Sequence, residues 1–68
     1  MTIYVQLLDD GLPCWRPAEA EQLADGAFRI IGKPPEDERW AFQPGDIVQC
    51  KERQFENGRG LVAYKRLT

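Results

Sequence analysis

The chain has 68 residues, 43% of them hydrophobic and 29% charged, with a formal net charge of −2. That length makes one domain, burying only about 60% of the surface its unfolded form exposes, and the composition excludes both a disordered chain and a membrane-spanning one. Histidine and serine are absent and threonine stands only at positions 2 and 68, so a hydroxyl-nucleophile triad has no parts and a cysteine nucleophile lacks its usual imidazole base.

In chain order, Ile3-Tyr4-Val5-Gln6-Leu7-Leu8 reads as a first strand, with Ile3, Val5 and Leu7 on one face and Tyr4, Gln6 and Leu8 on the other. Met1 to Gln6 lacks the basic and long apolar regions of a secretion signal, so cytoplasmic residence is the expectation. Asp9-Asp10-Gly11 ends the strand. Cys14-Trp15-Arg16-Pro17 restarts an extended segment, because Pro17 pushes Arg16 out of the α region.

Residues 17–26 carry two conflicting signals. Pro17 at a first position, the alanine-glutamate run and Gly26 as a stop favour a short helix. Asp25-Gly26 between two runs, followed by Ala27-Phe28-Arg29-Ile30-Ile31, favours a hairpin. The apolar stripe of Ala18, Ala20, Leu23 and Ala24 is too weak to hold an eight- or nine-residue helix, so the hairpin is the adopted reading.

Gly32-Lys33-Pro34-Pro35 breaks the next strand, since proline removes ladder donors. Glu36-Asp37-Glu38 follows as an acidic run compatible with one short helical turn, or with a solvated loop. The stretch Trp40 to Cys50 organises the rest. Pro44 presets φ for the second position of a tight turn and Gly45 supplies the positive φ that a type II turn needs next. Trp40 and Phe42 arrive together before the turn, and Ile47-Val48 leave it as a β-branched pair entering a strand.

Ile47 to Phe55 and Gly60 to Leu67 read as two strands around Asn57-Gly58, a type I′ turn signal. That turn sets Glu56 opposite Arg59 and, further out, Arg53 opposite Val62, Lys51 opposite Tyr64 and Gln49 opposite Arg66, the last six side chains sharing one sheet face. The other face carries Val48, Cys50, Glu52 and Gln54 with Leu61, Ala63, Lys65 and Leu67, and is the candidate for core. Five short strands punctuated by Gly, Pro and Asn turns predict an all-β fold, a small SH3-like barrel of about five antiparallel strands, because closure removes edges that so small a domain cannot otherwise protect.

Cys14 and Cys50 cannot make a zinc site without further N or S ligands, so no metal and no cofactor are expected. Two reduced thiols, Cys50 in the core and Cys14 in a loop, are the reading that cytosolic redox conditions favour, with a disulfide as the alternative. The eleven acidic residues fall in turns and on polar faces, where solvation accounts for them better than a catalytic carboxylate pair.

Residues 1–50 carry four basic and nine acidic side chains (−5), and residues 51–68 carry five and two (+3). Two surfaces follow. Trp15 and Trp40 with Glu36, Asp37 and Glu38 have the aromatic-plus-acid chemistry of grooves that hold proline-rich basic peptides. Lys51, Arg53, Tyr64 and Arg66 form a basic strip around one ring, a composition suited to single-stranded nucleic acid.

The Trp15-Arg16-Pro17 element and the Trp40-to-Cys50 element, with its Phe-x-Pro-Gly-Asp-Ile-Val-x-Cys core, resemble a family of short uncharacterised bacterial proteins, over nearly the whole chain. The resemblance implies a small barrel and carries no activity with it. The expectation is therefore a non-enzymatic binding or adaptor module whose partner is another protein, with RNA or another single-stranded nucleic acid as the alternative ligand and no membrane partner.

Overall fold

A computed structural model describes residues 1–8, 14–56 and 58–67. Five strands follow one another, β1 (Thr2–Gln6), β2 (Trp15–Ala24), β3 (Ala27–Ile30), β4 (Ile47–Phe55) and β5 (Gly58–Arg66), and close into a barrel in the order β1-β2-β3-β4-β5. The expected small all-β barrel is what forms. Successive strands pair antiparallel, so the first and fifth run the same way, and the closing β1/β5 contact, Tyr4 opposite Val62, is parallel. An odd number of strands in a meander requires that exception.

The alternating residues of β1 set the interior. Ile3, Val5 and Leu7 are buried and meet Ala18 and Ala20 of β2, Phe28 and Ile30 of β3, Val48 and Cys50 of β4, Ala63 of β5, and Trp40. In residues 17–24 the strand wins over the helix because Ala18-Glu19-Ala20-Glu21 has period two, which puts both alanines inside and both glutamates outside. Their small volume leaves room for Phe28 and Ile30, and Ala20 faces Ile30 directly across the ladder. The hairpin turns on Asp25-Gly26, where Gly26 has φ +76°, and a bulge lies between Gln22 and Ala24.

The Pro44-Gly45 turn forms as a type II geometry requires: the Asp46 N–H donates to Gln43 O at 3.0 Å and Gly45 has φ +92°. The Asp46 carboxylate accepts from the Gln43 N–H at 2.8 Å, and the Gly45 N–H donates to Ile30 O, which ties the turn to β3. Trp40 bridges Leu7 and is held on both sides by backbone bonds from Leu8 to Arg39 and from Ala41 to Gln6. Over Glu36-Asp37-Glu38 the chain makes no helix; the Glu38 N–H reaches Pro35 O and closes a single turn.

The β4/β5 register differs from the one expected. Phe55 lies opposite Gly58, Arg53 opposite Gly60 and Lys51 opposite Val62, and after a bulge Gln49 lies opposite Lys65. Each partner has moved by one or two residues. Gly58 is not the turn residue expected: it opens β5 opposite Phe55, while Asn57 lies outside the described residues. Packing accounts for the shift: a side chain on Gly60 would stand 2.8 Å from Tyr4 Cε2 and 3.0 Å from Phe55 Cε2, so the glycine must lie beneath those rings. From Cys50 to Phe55 the slip is by two, so Cys50 still shares a face with Ala63, and Lys51 and Arg53 still point out; beyond the bulge it is by one, which puts Lys65 opposite Gln49 and Arg66 opposite Val48.

Candidate functional site

Three aromatic rings outside the barrel interior lie together. On β1, Tyr4 and Gln6 alternate with the core residues and so point outward, and Gln6 pairs with Trp15 at the start of β2. On β4 the same outer face carries Lys51, Arg53 and Phe55. The parallel β1/β5 closure sets these side by side. Tyr4 and Phe55 have ring centroids 5.2 Å apart, and Trp15 meets Phe55 edge-on at 6.5 Å. Val62, bridged to Tyr4, is 1% exposed although it is outside the inner cluster, so this outer patch has a small apolar base of its own.

Cations border the rings. The Arg53 guanidinium lies 5.4 Å from the Trp15 ring centroid and 6.0 Å from that of Phe55, a range in which a cation is attracted by the ring quadrupole. Arg59 accompanies Tyr4, Trp15, Phe55 and Gly58 around a groove of about 360 Å³. A second hollow of about 400 Å³ is lined by Thr2, Tyr4, Glu52, Arg59, Gly60 and Leu61. Tyr4 and Arg59 belong to both. Among the described residues, the Trp15 indole N–H is buried without a hydrogen-bond partner.

The residues proposed from sequence fall out differently. Trp15 is in this groove. Trp40 is not a surface residue: it is 3% exposed, packs in the barrel interior, and its indole N–H donates to the Glu38 carboxylate at 3.2 Å. That carboxylate also pairs with Arg16 at 2.9 Å, so Glu38 braces the Trp15-Arg16-Pro17 segment against the Trp40 segment. Glu36 and Asp37 are exposed in the neighbouring turn. Trp40 and Glu38 line a separate hollow of about 340 Å³ with Arg16, Pro17 and Pro35, while Trp15 lines the groove with Tyr4 and Phe55.

Of the basic strip, Lys51 and Tyr64 come together although they are not ladder partners, with Lys51 Nζ 4.9 Å from the ring centroid. Arg53 turns toward Trp15 and Phe55 instead, and Arg66 stands opposite Val48 at the far end of β5. Tyr4 and Phe55 had no site role from sequence. Their shared outward phase with Arg53 was readable; the parallel closure that juxtaposes them was not.

Cys14 is exposed and Cys50 buried, and both are free thiols. Burial pushes the Cys50 thiol up to about 11. No group of three or more His, Cys, Asp or Glu able to hold a metal ion occurs among the described residues, and no helix there is long and apolar enough to cross a membrane. Comparison with protein families, with curated proteins and with solved structures finds no match.

Proposed function

We propose that this chain is a non-enzymatic binding module of the cytoplasm that docks a short segment of another protein in the groove between Tyr4, Trp15 and Phe55. The observation that carries the reading is the position of those three rings: a domain with so small a core places them together on its outer face around a concave surface. Concave sites lined by aromatics with a few polar groups are where proteins take ligands. The decisive experiment is capture from the source cell with tagged protein. A specific partner should be lost with Phe55→Ala and kept with Glu36→Lys combined with Asp37→Lys; capture indifferent to Phe55→Ala removes the reading.

A second reading is supported by the Lys51–Tyr64 stack. Lys51, Arg53, Tyr64 and Arg66 then bind single-stranded RNA or DNA, with Tyr64, 49% exposed, as the stacking platform. Affinity for an oligonucleotide that falls steeply with salt and disappears with Lys51→Glu supports it.

A further inference from the structure

We infer that the occupant of the Tyr4–Trp15–Phe55 groove is an acidic, extended protein segment that places apolar side chains in the two hollows flanking Tyr4 and a carboxylate on Arg59. This rests on the protein-docking reading above and adds the chemistry of the partner. Three observations lead to it.

The two hollows share Tyr4 and Arg59, so they adjoin, with these two side chains between them. An extended strand presents same-face side chains roughly 7 Å apart, about the reach from one side of an aromatic ring to the other. The pair of hollows is thus suited to two apolar side chains of one extended chain.

Charge then selects the chain. Arg53 and Lys51 have no carboxylate partner among the described residues. Arg59 has only a loose one: Glu52 at 3.5 Å, with both side chains about 70% exposed (74% and 68%). An exposed pair of that kind contributes little, so exchanging Glu52 for an incoming carboxylate costs the fold almost nothing. Arg53 and Arg59 make the rim cationic, and they belong to the stretch 51–68, which sums to +3 while residues 1–50 sum to −5, so charge favours an acidic ligand on this hairpin.

The same geometry disfavours nucleic acid here. The Arg53 guanidinium already lies over the rings of Trp15 and Phe55, where a base would have to stack. Glu52 pairs with Arg59, so few phosphates could be neutralised in a row.

The test uses the intact chain and three labelled probes in fluorescence anisotropy: an extended pool of peptides with apolar residues at alternate positions and Asp or Glu between them, the same pool with Lys or Arg in place of the acids, and a ten-nucleotide oligothymidine. The acidic pool should bind at least tenfold more tightly than the basic one. Arg59→Glu should lose that preference, and the charge swap Arg59→Glu with Glu52→Arg, which restores the ion pair, should not recover it in its original form. Equal binding of both pools, abolished by Phe55→Ala, overturns the acidic assignment while leaving the docking groove standing. Binding of neither pool, or of the oligonucleotide alone, overturns the inference.

Discussion

Gly60 lies directly beneath Tyr4: a methyl group at position 60 would sit 2.8 Å from Tyr4 Cε2 and 3.0 Å from Cδ2, closer than carbon atoms approach. This one contact joins the register of the β4/β5 hairpin to the closure of the barrel and to the shape of the outer groove. Gly60→Val must displace Tyr4 and Phe55 together or push β5 away from β1. We expect a loss of about 1–3 kcal/mol, the usual cost of overpacking, read from a thermal or denaturant melt. A Gly60→Val protein with unchanged midpoint and unchanged aromatic circular dichroism contradicts the packing.

Gly45 makes a different kind of demand. Nothing lies within 4 Å of where its side chain would start, yet its φ is +92°. Gly45→Val should therefore destabilise by ~1–3 kcal/mol through backbone strain alone, with no crowding to relieve. Lengthening or softening side chains nearby will not rescue it, and a melt of the single variant against Gly45→Val with Phe42→Leu checks that separation.

The two tryptophans should part company under substitution. Trp40 fills the interior and its N–H is satisfied by Glu38, so Trp40→Ala should cost roughly 3–5 kcal/mol, a large share of the stability of so small a domain. Trp15→Ala removes a half-buried ring from the outside and should leave the fold largely intact while disabling the groove. Parallel melts and partner-capture assays read both effects.

Cys50 ties stability to pH. Its thiol is raised from 9.0 to about 11 by burial, so the folded state holds the proton that the unfolded chain releases first. The contribution is complete below about pH 9 and is lost as pH climbs toward 11. The difference in unfolding midpoint between wild type and Cys50→Ala should be constant at neutral pH and change across that window. At neutral pH, exposed Cys14 should react with a maleimide much faster than Cys50.

Much of this architecture was legible in the residues. Pro44-Gly45 has one conformational solution, and Asp25-Gly26 has few, so both turns form where local chemistry demands them. The period-two alternation of Ala18-Glu19-Ala20-Glu21 overrode a helical propensity that is itself weak. The β4/β5 register was less legible, because two glycines, Gly58 and Gly60, both accept unusual positions and the choice between registers is made by Tyr4, 56 residues away in the chain. The groove was hidden for the same reason. Trp15 was visible as a candidate, but its neighbours Tyr4 and Phe55 come from the first and fourth strands and meet only when the barrel closes. Trp40 looked equivalent to Trp15 in sequence; its backbone bridge to Leu7 draws it inside.

The most direct measurement is the pair of tryptophan indole N–H resonances in a ¹H–¹⁵N correlation spectrum, followed as the acidic apolar peptide pool is added. The Trp15 resonance should shift saturably, together with the backbone amides of Tyr4, Phe55 and Arg59, while Trp40 stays fixed. Saturable shifts centred on Trp40, Glu36 and Asp37 with Trp15 unmoved would contradict it.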